Sequence, residues 1–255
     1  MVFAADTRLG EEIAIKLFRQ GYELILSGRD IDKLKSLARF FGDKTSYFIA
    51  NIDDLAQLEH ELIRERQRRR NQGEESSLKI IADAADALCF DDSLKSMNEC
   101  LGVNCRGTYN VLKLAETFID YGGHIGMVNS LMSLIKFPGQ FENYALTKEA
   151  AATCCEEFRD NSLIKGKATI TVAYPMIVET DAILTEEAKK QAVYAAFPHQ
   201  PVWFAAEVIV RDMLAGESVS FLTRSDWLMA KAADIAPKTL EKLIRCYVKH
   251  KTGHT

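Results

Sequence analysis

Short apolar runs alternate with amphipathic stretches along the whole chain. The runs fall at residues 2–4, 24–26, 47–50, 78–82, 125–128, 168–173 and 219–222, and they are rich in Ile, Val, Leu and Ala. They lack the strict apolar–polar alternation of a half-solvated strand, which is the pattern of strands buried on both faces of a parallel sheet. Between them, residues 11–20 set Ile13, Leu17 and Phe18 on one helical face, and residues 31–41 set Leu34, Leu37 and Phe41 on another; residues 54–70 begin amphipathic and end basic. Regular alternation of this kind predicts right-handed crossovers and an α/β fold: a doubly wound, Rossmann-type parallel sheet of about seven strands with helices on both faces. With 255 residues, 47% of them hydrophobic, one domain spanning 1–255 can bury a core of ordinary size.

The formal net charge of −4 argues against a dedicated nucleic-acid or membrane-surface binder. The basic run at 63–70, IRERQRRR, is read as the solvated carboxyl end of a helix, where arginines complement the dipole. A nucleic-acid patch would interleave aromatic residues with it, and none occur there. No apolar stretch approaches the roughly 20 residues that span a bilayer. The start, MVFAADTR, lacks the basic and apolar regions of a secretory leader, so a cytoplasmic protein is expected. Cys89, Cys100, Cys105, Cys154, Cys155 and Cys246 match no CxxC or zinc spacing and are expected to be reduced thiols. His199, His250 and His254 sit in no metal-ligand spacing and are read as surface residues.

In doubly wound sheets ligands bind beyond the carboxyl ends of the strands, where the winding reverses. The first strand-to-helix turn is Ala4-Ala5-Asp6-Thr7-Arg8-Leu9-Gly10, and the free N–H groups of the helix that follows suit a pyrophosphate. Gly10 is the single glycine in this loop. The second strand ends in Ser27-Gly28-Arg29-Asp30. An acidic residue at this tip would hold the two ribose hydroxyls and select NAD. Arg29 is instead either a fork for a 2′-phosphate or a surface arginine, so NADP(H) is favoured over NAD(H). Asp30 is read as the cap of the next helix.

The strand at 123–128 runs into Asn129-Ser130, and Tyr144-Ala145-Leu146-Thr147-Lys148 follows fourteen residues later. Tyr144 and Lys148, four apart, share one helical face. A phenol titrates near 10 and is a poor base at neutral pH; a neighbouring ammonium stabilises the phenolate. A tyrosine tuned in this way passes a proton to a carbonyl oxygen or takes one from an alcohol, and a nearby serine holds the same oxygen in place.

GHIGMVNS ending at Ser130, YALTK at 144–148 and VNCRG around Asn104 together make the chain resemble the short-chain dehydrogenase/reductase family over nearly its whole length. The resemblance implies Tyr144 as acid/base, Lys148 as its partner and ribose anchor, Ser130 as the carbonyl-positioning hydroxyl and Asn104 as support for a proton relay. It also implies that Asp6, Thr7, Arg8, Leu9 and Gly10 approach the pyrophosphate, and that Arg29, Asn51, Ile52 and Ala82 approach the adenosine. Pro175, Val178 and Thr180 would border the nicotinamide. This sequence departs from the family's Thr-Gly-x-x-x-Gly-x-Gly loop at Ala4 and Arg8. Ala4 fits if its φ is negative, Arg8 must swing out of the loop, and Asp6 adds a negative charge there. The family's Asn-Asn-Ala-Gly segment is matched to Ala82-Asp83-Ala84-Ala85.

Residues 181–200 resemble the family's substrate lid. Their apolar face of Ile183, Leu184, Ala188 and Val193 serves either a hydrophobic substrate or packing. Residues 225–255 form a helical extension, with one long helix over 226–250 closing the pocket or meeting a second subunit. The helices at 104–120 and 144–161 would pair across a two-fold axis, making a homodimer or homotetramer. The reading is an oxidoreductase acting on a small carbonyl or alcohol, with no nucleic-acid or membrane partner. The alternative is a non-catalytic or weakly catalytic descendant of the same fold that senses a dinucleotide or acts through protein contacts.

Overall fold

The computed structural model describes residues 1–74, 76–89, 93–139 and 141–253; His254 lies outside them. The chain alternates strand and helix in the order β1 (Val2–Phe3), α1 (Arg8–Arg19), β2 (Ile25–Gly28), α2 (Ile31–Phe41), β3 (Ser46–Ile49), α3 (Leu55–Asn71) and β4 (Ile80–Asp83). It continues through α4 (Leu94–Cys100), a π-helical segment (Leu101–Gly107), α5 (Thr108–Phe118), β5 (Gly123–Val128), α6 (Glu142–Asn161) and β6 (Ala168–Ala173). The last elements are α7 (Glu186–Lys189), α8 (Ala192–Ala196), α9 (Val202–Leu214), β7 (Val219–Ser220), α10 (Arg224–Ile235) and α11 (Pro237–Thr252).

Among the described residues, the seven strands pair in parallel in the order β3-β2-β1-β4-β5-β6-β7. The winding therefore reverses between β1 and β4. That juxtaposition sets the turn after β1 beside the segment leaving β4. The core divides over the two faces of the sheet. On one face Ile13 and Leu17 of α1 and Leu34 and Leu37 of α2 pack with Ile209 and Met213 of α9. On the other, Leu58 and Leu62 of α3, Leu112 of α5 and Ala152 of α6 form a second cluster.

Several expectations change. Phe18 leaves the apolar face of α1 and is 42% exposed, its ring tilted against Phe41. The long carboxyl-terminal helix is two helices. Pro237 offers no N–H to continue α10 and restricts Ala236 to an extended φ of −144°, then serves as the first residue of α11. The helix expected from residue 104 is entered through the π-helical segment and becomes regular only at Thr108. Arg69 is not solvated: its side chain is buried, pairs with Glu23 and donates to the Lys44 carbonyl. Arg68 pairs with Glu65 at 2.8 Å, so the basic run is partly neutralised by this chain's own carboxylates. Cys89 and Cys100 are joined as a disulfide, leaving Cys105, Cys154, Cys155 and Cys246 as free thiols. No helix among the described residues is long and apolar enough to cross a membrane.

Candidate active site

The loop after β1 is held by its own hydrogen bonds. Ala5 N–H donates to the Ser27 carbonyl, while Thr7 N–H and Thr7 Oγ1 both donate to the Ala4 carbonyl. Thr7 caps α1 by accepting from Gly10 N–H at 3.1 Å. Ala4 adopts a φ of +51°, not the negative value expected, so it carries the left-handed conformation that costs a residue with a Cβ about 1 kcal/mol. The structure also shows why Gly10 is required. A Cβ there would lie 2.0 Å from the Ala4 carbonyl oxygen, a backbone atom that cannot move without unmaking the turn.

Two of the loop's charged residues are drawn elsewhere. Arg8 does swing out: its Nε lies 4.0 Å from Asp181, at the start of the 181–200 segment, in an exposed pair of small energetic worth. Asp6 turns toward β2, and its Oδ2 accepts the N–H groups of Arg29 and Asp30 at 2.8 Å each.

β5 and α6 bring the remaining chemistry together. Asn129 stitches the two elements, its Oδ1 accepting from Ser130 N–H and its Nδ2 donating to the Lys148 carbonyl. Ser130 lines the same recess as Tyr144, and its hydroxyl favours the ionised phenol. Lys148 lies with its Nζ 5.8 Å from the centre of the Tyr144 ring and donates to the Val128 carbonyl. A residue without any motif of its own completes the cluster. Asp86 pairs with Lys148 Nζ at 2.9 Å and accepts from the Tyr144 hydroxyl at 3.4 Å.

The electrostatics follow from that carboxylate. Burial pushes the Tyr144 phenol well above its ordinary value, Asp86 pushes it further, and the Ser130 hydrogen bond opposes them. This corrects the expectation that Lys148 lowers it: the ammonium's charge is met by Asp86 before it reaches the phenol. Asn104, in the π-helical segment, spends both amide protons, one on the Ala87 carbonyl and one on Thr147 Oγ1, while its oxygen accepts from Ala87 N–H. It clasps the segment after β4 to α6 and has no side-chain donor left for a relay.

Asp83, at the end of β4, is buried among these groups. Desolvation pushes its carboxyl up to about 6; the Ala85 N–H and Lys148 oppose the shift, and Asp86 adds to it. The folded state thus holds this proton more tightly than the unfolded chain. Its stabilising effect is full at low pH and is lost as pH rises from about 4 through 6. Replacing Asp83 with Asn keeps an acceptor for Ala85 and removes the titration. The variant should exceed the parent in stability at pH 7.5 by up to about 3 kcal/mol and match it more closely at pH 4.5. Urea midpoints at the two pH values check this, and a parent that gains on the variant as pH rises would refute it.

Two recesses open along the carboxyl edge of the sheet at the reversal point, and both are walled by Thr7 and Asp86. The first is mostly apolar and holds Ser130 and Tyr144, with Pro175, Val178 and Thr180 on one wall and Ile183, Ala188 and Val193 on another. The second is bordered by Asp6, Gly28, Arg29, Asn51 and Ile52. Leu9 reaches the first recess, but Gly10 is buried beneath it. Ala82 does not reach either. It is buried inside β4 opposite Val2, and the residues that face the cleft are Ala84, Ala85 and Asp86. Of the lid face, Leu184 points away and is 39% exposed. Asp86, Asn129 and Thr147 carry no motif in the sequence because each also bonds a partner distant along the chain, Asp86 to Lys148, Asn129 to the Lys148 carbonyl and Thr147 to Asn104; only the packing of α6 against the segments that leave β4 and β5 reveals them.

The residues fit a nicotinamide dinucleotide in most respects. The α1 amino terminus, Asn51 and Ile52 on one side and Val178 and Thr180 on the other lie along one continuous edge. Lys148 suits a ribose diol once Asp86, 34% exposed, turns aside.

No protein-family model and no curated protein matches the sequence. Solved structures do match in three dimensions. A short-chain dehydrogenase from Burkholderia cenocepacia, in complex with NADP, superposes with a TM-score of 0.75 at 14% identity, over 95% of this chain and 97% of its own. A short-chain dehydrogenase/reductase from Serratia marcescens gives 0.72 at 20% identity over 86% and 93%. A dehydrogenase/reductase from Sinorhizobium meliloti gives 0.72 at 18% over 86% and 90%. The chain has the fold of the short-chain dehydrogenase/reductases.

Proposed function

We propose that the chain is an oxidoreductase that uses a nicotinamide dinucleotide to interconvert a small carbonyl and its alcohol. The observation that carries this reading is that Ser130 and Tyr144 together line an apolar recess at the reversal point of the sheet, with Lys148 and Asp86 beside the phenol. When bound, the dinucleotide supplies or accepts the hydride. Ser130 orients the substrate oxygen by hydrogen bonding. Tyr144, kept protonated at neutral pH by burial and by Asp86, is in the state that donates a proton to a carbonyl oxygen, so the site is set for reduction. Asn104 and Asn129 are positioning residues that hold β4 and β5 against α6. The apolar wall of Ile183, Ala188 and Val193 suits an apolar aldehyde or ketone. Pairing of α5 and α6 across a two-fold axis belongs to the same proposal and is tested by sedimentation of the purified protein.

A second reading is supported by the Asp86–Lys148 pair: a protein of this fold that binds a dinucleotide without turnover. Thermal melts with NADH and NADPH, followed by assay of reduced-nicotinamide loss against apolar carbonyls, separate the two. A melting temperature raised by at least one dinucleotide, with turnover of at least one carbonyl, is the expected result. Binding without turnover favours the second reading, and no shift with either dinucleotide sinks both.

A further inference from the structure

The Asp6 carboxylate occupies the space that a side chain at position 28 would fill. A Cβ placed on Gly28 falls 2.2 Å from Asp6 Oδ1 and 2.5 Å from its Cγ. Gly28 ends β2, at the strand tip where doubly wound dinucleotide sites place an acidic residue to hold the adenosine ribose hydroxyls. Here the tip residue has no side chain, and a carboxylate reaches the same volume from the turn after β1. The two positions are complementary: Gly28 leaves the space and Asp6 fills it.

The donors around this point are already committed. Arg29 N–H and Asp30 N–H both go to Asp6 Oδ2. At the start of α2, Asp32 N–H and Lys33 N–H both go to Asp30 Oδ1. A phosphate arriving here would find four backbone donors held by two carboxylates, and would meet their negative charge. A ribose diol needs acceptors instead. Asp6 supplies one, since both backbone bonds fall on Oδ2 and leave the lone pairs of Oδ1. Asn51 borders the same recess.

We infer that Asp6 is the residue that selects between dinucleotides, accepting the hydroxyls of an unsubstituted adenosine ribose and repelling a 2′-phosphate, so that the chain prefers NAD(H) to NADP(H). This rests on the proposal that the chain binds a nicotinamide dinucleotide. It also weighs Arg29 differently from the sequence alone. The exposed guanidinium could still meet a phosphate, but the backbone N–H of the same residue is bound by Asp6.

Dissociation constants for NADH and NADPH, measured by fluorescence titration of the full chain, test the inference. NADH should bind about tenfold tighter or more, as like charges set against each other in a binding site oppose association. Asp6→Asn keeps the shape and an acceptor oxygen but removes the charge, and it should narrow that ratio. Asp6→Gly should lose the preference, and the exchange Asp6→Gly with Gly28→Asp should restore it, a rescue that a merely structural role for Asp6 would not produce. An equal or tighter affinity for NADPH in the parent overturns the inference and leaves the oxidoreductase reading standing. A ratio unchanged by Asp6→Asn overturns it as well. Binding of neither dinucleotide removes both.

Discussion

Tyr144→Phe lowers kcat by about a hundredfold to ten-thousandfold, the span that a positioned general acid contributes, while the protein stays folded and still responds to dinucleotide. The phenol ring is 5% exposed and packed in the larger core cluster, and Phe reproduces it. Only the hydroxyl is lost, and its partners are Ser130 and Asp86, neither of which depends on it for its place. Ser130 is fixed by its own N–H to Asn129 and Asp86 by Lys148. The loss should fall on kcat rather than on the dinucleotide-induced rise in melting temperature. In the parent, reduction should run at a rate nearly flat from pH 6 to 8, because a phenol raised above its ordinary value stays protonated throughout. Retained turnover in the Phe variant would remove Tyr144 from the chemistry.

Asp86→Ala acts in the opposite sense on the reverse reaction. Alcohol oxidation needs the phenolate, and Asp86 opposes it twice, by its own charge near the phenol and by neutralising Lys148. Without that carboxylate the charge of the buried Lys148 ammonium is less fully met, and the phenol loses an adjacent negative charge, so its pKa falls. Oxidation near pH 7.5 should rise by roughly tenfold, with its acidic limb displaced to lower pH. Lys148 also becomes free for a ribose diol, so the dinucleotide-induced melting shift should grow. The cost is stability. Removing one partner of a buried ion pair is worth about 3–5 kcal/mol, but Asp86 is 34% exposed and solvent screens part of it, so a loss of roughly 1–2 kcal/mol is expected in the ligand-free protein. An unchanged pH profile and unchanged dinucleotide affinity would make Asp86 a bystander. Loss of turnover would show that the carboxylate is itself required.

Much of this protein is legible in its amino-acid sequence. The unbroken apolar runs encode strands buried on both faces, so their number, their parallel sense and the β–α alternation are readable directly, and residues 168–173 form β6 as expected. Local chemistry is equally readable: Asp30 caps α2, and Tyr144 and Lys148 share a face of α6 because four residues make about one helical turn. Boundaries are harder. β1 stops at Phe3 because Ala4 takes a positive φ, which a residue with a Cβ does not advertise. The helical tail breaks at Pro237, a signal present in the sequence but outweighed by the apolar period around it.

Residue order alone dictates which side chains can do chemistry, and on which strand or helix each one sits. What charges those side chains meet is settled by tertiary packing. In the sequence Asp6 reads as an unfavourable charge in a cofactor loop, and Asp86 carries no signal at all. The pairing of β1 with β2 brings the first against the tip of β2, and the packing of the β4 exit against α6 brings the second against Lys148. The strength of an ion pair or a pKa shift depends on distance and desolvation, and both are set by packing between segments far apart in the chain. The pairing of Tyr144 with Lys148 is therefore readable as a spacing, while the protonation state of Tyr144 is not.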